Sequence, residues 1–265
     1  MLIRGCAAVV TGASSGIGAA TAVALACRGA RAVVLLARTA SALEEVAAEV
    51  RACGATSLPR AVDLADAAAV AEVAAAIQHE IGAPDLIVNG AGAGRFLFVE
   101  ETSAADAAAM MAVPYLAAFH VTRAFLPAML ARQSGHIVNV TSPAAYIPWP
   151  GAAAYSAARW AMRGFTAALR ADLCGTGLGV TLVVPGKTRT PYFERNPGSA
   201  ERIPGVARSF RTLEPAAVAA AIVRAVEHER REVILPFGLR LALLVHRLLP
   251  WPIEWFVART GARRR

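Results

Sequence analysis

A short apolar run, Cys6–Val10, leads directly into Thr11-Gly12-Ala13-Ser14-Ser15-Gly16-Ile17-Gly18, and this turn opens a helix-length segment, Gly16–Arg28. Three glycines in a strand-to-helix turn let backbone approach a pyrophosphate closely. The helix N-terminus adds free N–H groups and the positive end of its dipole. The alternation then repeats. β-type runs at Ala32–Leu36, Ser57–Val62, Leu86–Val88, His136–Val140, Val180–Val184 and Glu232–Leu235 are separated by helix-length segments at Ala42–Cys53, Ala67–Ile81, Ala104–Arg132, Tyr155–Cys174 and Pro215–Glu229. Pro215 suits a first helical turn, where its missing N–H costs little. Such alternation predicts an α/β fold, one doubly wound parallel sheet with helices on both faces. No linker divides the chain.

Composition supports this and narrows the partners. Of 265 residues 56% are hydrophobic and 17% charged, enough apolar surface for a sizeable core and incompatible with disorder. Lys and Arg number 27 against 19 acids, a net charge of +8. Residues 1–186 hold 12 Arg and 12 acids, so the whole excess lies in residues 187–265, and Lys187 is the single lysine. A nucleic-acid footprint would be confined to the tail, and no nucleic-acid partner is expected. Cys6, Cys27, Cys53 and Cys174 are far apart with no C-x-x-C pair, so they read as small buried hydrophobes, without a disulfide. Five scattered histidines suggest no metal site. The longest uncharged stretch, Ile137–Ala158, is broken by prolines and Gly151, and no secretory segment is visible, which predicts a cytoplasmic protein.

The turn Thr11–Gly18, Asp63-Leu64 after the third strand, Asn89-Gly90-Ala91-Gly92 after the fourth, Ser142 and Tyr155 beyond the fifth, and Pro185-Gly186 with Thr190 after the sixth resemble the short-chain dehydrogenase/reductase family in order and spacing. The resemblance implies a single Rossmann-type domain that transfers hydride between a nicotinamide cofactor and an alcohol or carbonyl. It assigns Gly12, Ser14, Ser15, Gly16, Ile17 and Gly18 to the pyrophosphate, and Asp63 and Leu64 to the adenine. Asn89, Ala91 and Gly92 are assigned to the ribose side, Pro185 and Gly186 to the nicotinamide end, and Thr188 and Thr190 to the carboxamide or the pyrophosphate. Asp63 could equally cap the helix beginning near Ala65. Where relatives using NAD carry an acid at the end of the second strand, this chain has Ala37 followed by Arg38. Arg38 can hold a 2′-phosphate, so NADP(H) is expected over NAD(H).

By the same resemblance Tyr155 is the general acid/base and Ser142 positions the substrate oxygen. A phenol titrates near pH 10, so it needs a neighbouring positive charge to work near neutrality. The family supplies a lysine four residues on; here Arg159 occupies that position, able to contact phenol and ribose but not to release a proton readily. A second departure is Pro114, where the family places an Asn at a helix kink. Proline keeps a kink but offers no amide. Lys187 could offer a substitute ammonium, although a solvated loop lysine is the plainer reading. These departures leave open an alternative, a catalytically weak or inactive cofactor-binding protein with a regulatory or scaffolding role.

Tyr146, Trp149, Tyr192 and Phe193, with Phe210, are expected to line an apolar pocket for a small hydrophobic carbonyl or alcohol. The catalytic domain is expected over 1–236, with a substrate lid at about 189–212, and a basic amphipathic tail over 237–265. In the tail Leu241, Leu244, Val245 and Leu248 share one helical face, with Arg240 and Arg247 elsewhere. It can cover the pocket or pack on a second subunit, which is the expectation, or lie as a peripheral contact on a membrane. A homodimer or homotetramer is expected from the family.

Overall fold

The computed structural model describes residues 1–264. Seven strands form one all-parallel sheet: β1 (Ala7–Thr11), β2 (Ala32–Ala37), β3 (Thr56–Ala61), β4 (Leu86–Asn89), β5 (Gly135–Val140), β6 (Leu178–Pro185) and β7 (Glu232–Leu235), in the order β3-β2-β1-β4-β5-β6-β7. The order reverses between β1 and β4, and such a reversal opens a crevice at the carboxyl ends of the strands. β1, β2 and β4 are buried at every position, as continuous apolar strands covered on both faces should be.

The crossovers are α1 (Gly16–Cys27), α2 (Ala40–Ala52), α3 (Ala67–Ile81), α4 (Ala104–Met111), α5 (Ala117–Arg132), α6 (Ala153–Asp172), two short turns α7 (Tyr192–Arg195) and α8 (Gly205–Arg208), and α9 (Pro215–Glu227). Two cores result. Leu25, Leu43, Val50 and Ile222 pack on one face of the sheet; Ile77, Val121, Phe125 and Met129 pack on the other. The segment Ala104–Arg132 has mean hydropathy of 1.3 over a membrane-length window. It is nevertheless two helices joined by a π-helical turn, Ala112–Leu116, in which Val113 leaves helical geometry at φ −131°, ψ 110°. Pro114 sits in that turn, buried, and withholds the N–H that residue 110 would have received.

The cysteine expectation fails in two ways. Cys27 ends α1 and Cys53 follows α2; the helices lie side by side, their Cα atoms come within 4.8 Å, and the two are joined in a disulfide. Only chain folding creates that proximity, since 26 residues separate them. Cys174 is exposed, and Cys6 alone is a buried free thiol, its pKa pushed up to about 12 chiefly by burial.

After β7 the chain turns into α10 (Phe237–Leu248) and α11 (Pro250–Thr260). Leu239, Leu243 and Val257 are buried against Ile147, Leu182 and Val184. The predicted stripe of Leu241, Leu244, Val245 and Leu248 faces outward instead. The tail covers the catalytic body with its other face.

Candidate active site

The crevice at the carboxyl ends of β1 and β4–β6 is a cavity of about 710 Å³. Its nucleotide end is the turn after β1. Gly12 takes φ +66° and Gly16 φ +59°, left-handed values that favour glycine. Gly18 has an ordinary backbone but no space: a Cβ there would lie 2.2 Å from the Gly12 carbonyl oxygen. Thr11 secures the facing turn, its Oγ accepting from the N–H groups of Gly90 (3.0 Å) and Ala91 (3.1 Å). The start of α1 therefore meets the strand closely, with Ser14, Ser15, Gly16, Ile17 and Gly18 lining the cavity.

Arg38 stands exposed at the rim beside buried Ala37, and makes no ion pair among the described residues. Asp63 and Leu64 follow β3 along the same wall. Asp63 does not cap α3; it closes a local turn by accepting from Ala65 N–H at 3.0 Å, while Asp66 caps the helix through Ala68 and Ala69 N–H. Asn89 is a further correction. It lies 1% exposed inside the sheet, its amide donating to Asn139 (2.8 Å) and Thr122 (3.2 Å), and it does not line the cavity; Gly90, Ala91 and Gly92 do. Asparagine before a glycine turn looks alike in sequence whether its side chain points into the crevice or under the strand.

At the other end β5 delivers Ser142, whose Oγ accepts from Ala144 N–H at 3.3 Å in the short turn Pro143–Ala145. Thr141 donates to the Arg159 carbonyl oxygen at 3.1 Å, fixing α6 against the strand. Tyr155 lies in the first turn of α6 and Arg159 one turn on, the same face at i and i+4. The Arg159 guanidinium carbon is 4.7 Å from the Tyr155 ring centroid, and Nη2 donates to Ala93 carbonyl oxygen at 3.3 Å. Arg159 is 5% exposed, has no ion-pair partner among the described residues, and its Nε is buried without a hydrogen-bond partner. A buried cation with unspent donors beside a phenol fits an electron-rich ligand. Gly92 makes room for it: a Cβ there would sit 3.1 Å from Nη2. Lys187 is exposed, its Nζ 5.7 Å from the Phe193 ring centroid, so the cation over Tyr155 is Arg159.

Pro185, Gly186, Thr188 and Thr190 line the cavity between the two ends. Of the expected pocket residues Trp149, Tyr192, Phe193 and Phe210 are present. Tyr146 is not; it turns toward β7, hydrogen-bonded to Glu232 with the Arg163 guanidinium 3.9 Å from its ring centroid. Phe96, which no periodicity marks, takes a place in the cluster, 4.7 Å from Tyr155 and 5.5 Å from Trp149 between ring centroids. Tyr192 donates to Gly94 carbonyl oxygen; burial and the neighbouring Tyr155 push its pKa upward, against the pull of Arg159. Arg195 was also invisible in sequence: it reaches from α7 to donate to Ser15 Oγ at 3.2 Å, beside the phosphate turn.

The cradle that side chains would fill and the unspent Arg159 donors fit a dinucleotide. The model of the short chain dehydrogenase family matches residues 6–199. The chain belongs to that family. It is 38% identical over 236 residues to "Probable oxidoreductase EphD" of Mycobacterium tuberculosis, covering 83% of this chain but 39% of the relative, so the chain spans well under half of that protein. A metagenomic short-chain oxidoreductase in complex with NADP is 34% identical at a TM-score of 0.75, with 89% of this chain and 98% of that one covered. A short-chain dehydrogenase/reductase from Burkholderia phymatum in complex with NAD is 26% identical at a TM-score of 0.82, with 100% and 99% covered.

Proposed function

We propose that this short-chain dehydrogenase/reductase is an NADP(H)-dependent oxidoreductase interconverting a hydrophobic ketone or aldehyde and its alcohol. The observation that carries it is Tyr155, with the Arg159 charge against its ring, in one cavity with Ser142 and the glycine turn. A bound nicotinamide would supply or accept the hydride. In reduction the Tyr155 O–H bond breaks as its proton passes to the substrate oxygen; in oxidation the phenolate takes the proton back. Ser142 donates to the same oxygen and orients it. Arg159 sets its fixed charge against the Tyr155 ring and offers its free N–H groups to the ribose. Phe96, Trp149 and Phe193 exclude water and favour an apolar substrate.

Arg38 beside Ala37 supports the phosphate-bearing cofactor, by charge-assisted bonds to a 2′-phosphate and the absence of a carboxylate that would repel it. Fluorescence titration should show NADPH binding more tightly than NADH, with Arg38→Ala narrowing the difference; equal affinities in the wild type would overturn the preference. A second reading rests on Pro114 and Arg159, which together remove an amide and a titratable amine from the site. Turnover on a panel of ketones decides between them. Tight NADPH binding without turnover, with turnover restored by Arg159→Lys, would favour a cofactor-binding protein. The same proposal has the chain assemble as a homodimer or homotetramer through the outward faces of α5 and α6, where Phe119 and Trp160 are exposed.

A further inference from the structure

Nine of the fourteen exposed large apolar side chains lie within residues 237–256. Along α10 the helical period gathers Leu241, Leu244, Val245 and Leu248 into an outward stripe about 100° wide. The chain then turns through Leu249, 56% exposed, into Trp251, 86% exposed, and α11 continues with Trp255, 58% exposed. Arg240 and Arg247 run along one edge of the α10 stripe, and the Arg259 guanidinium covers Trp255 at 4.4 Å from its ring centroid. By sequence residues 237–265 carry six arginines and one acid, Glu254, a net charge of +5. Glu254 is already paired with His246 at 3.0 Å.

We propose that the outer face of α10–α11 docks on an anionic lipid bilayer. Leucines and tryptophans enter the boundary between headgroups and acyl chains, and the flanking arginines meet lipid phosphates. The charge selects this occupant over a second copy of the chain, because Arg240, Arg247 and Arg259 have no ion-pair partner among the described residues, and two copies face to face would set these cations against one another. At 12 and 11 residues the helices are too short to span, since crossing takes about 20 apolar residues. They lie on the surface. The opposite face of α10 places Leu239 in the cavity wall, and α11 packs on α8, next to cavity residues Ile203 and Pro204. Docking therefore sets the substrate end of the cavity beside the lipid.

The test is co-sedimentation of the full chain with phosphatidylcholine vesicles, with and without phosphatidylglycerol, at low and high salt. Expected is pelleting with the anionic vesicles that weakens with salt, and a loss of about tenfold or more in Leu248→Glu/Trp251→Glu. Both side chains are exposed, so the variant's thermal midpoint should match the wild type. Absence of pelleting with anionic vesicles overturns the proposal, as does equal, salt-independent binding to both vesicle types. A dimer that falls apart in the double variant, in the absence of vesicle binding, would assign the face to a second copy. None of these readouts depends on turnover.

Discussion

His136 is the second residue of β5, the strand that leads to Ser142, and it is 3% exposed. Its Nε2 is 2.8 Å from Thr181 Oγ, and that hydroxyl donates to the Arg230 carbonyl oxygen at 2.5 Å. With its own proton committed, the hydroxyl accepts from His136, which fixes the proton on Nε2 and leaves Nδ1 bare. Nδ1 faces Gly179, where an added Cβ would lie only 2.3 Å away. Burial accordingly holds the imidazole pKa at about 4, below the ordinary 6.5. The folded value lies below the unfolded one, so the unfolded chain binds the proton first as pH falls. The stabilising contribution is complete above pH 6.5, declines below it, and is lost as pH passes 4. The whole difference corresponds to about 3 kcal/mol, of which about 2 kcal/mol should be lost between pH 7.5 and pH 5. Urea unfolding of wild type and His136→Gln across that range measures it. Glutamine keeps a donor for Thr181 and does not titrate, so the variant's stability should fall with pH by about 2 kcal/mol less than the wild type's. Identical slopes in the two proteins would refute the assignment of a buried neutral imidazole.

Gly18→Ala forces a Cβ to within 2.2 Å of the Gly12 carbonyl oxygen, so the start of α1 must move away from the turn; a loss of about 1–3 kcal/mol in stability and a matching weakening of NADPH binding are expected by thermal melt and titration. Gly164→Ala, on the exposed side of α6 with nothing within 4 Å, should raise stability by about 0.5–1 kcal/mol in the same melts. Tyr155→Phe should lower kcat by about 10²–10⁴ in steady-state assays while NADPH affinity, measured by titration, changes little.

The sheet and its crossovers were legible because continuous apolar strands and helical segments of ordinary length leave a periodic record. Asp63, Leu64 and the glycine turn line the cavity at strand ends, the segments to which the family resemblance pointed. Direction was not legible. Asn89 and Tyr146 sit in the expected segments, yet one turns beneath the strand toward Asn139 and the other toward Glu232, choices made by distant partners. The stripe in α10 was read correctly as apolar, but periodicity cannot say which of two apolar faces meets the body; Leu239 and Leu243 won because the cluster around Ile147 and Val184 receives them. Cys27 and Cys53 are joined by packing between two helices, which no spacing encodes.

Arg159 shows how a departure from a family pattern is accommodated by its surroundings. A guanidinium is flatter and wider than an ammonium, and here it lies against Gly92, whose lack of a side chain leaves the required space, and hangs from the Ala93 carbonyl. The site thus holds a permanent positive charge at the phenol, and on the proposed mechanism it lacks the amine that the family resemblance would put there. Pro114 keeps the break between α4 and α5 through its missing N–H while giving up an amide. On the proposed mechanism each replacement would keep the geometric part of the role that the family resemblance implies and lose the proton-carrying part. A site altered in that way still orients its ligands, so its deficit should fall on proton delivery, and kcat rather than cofactor affinity is where Arg159→Lys should act.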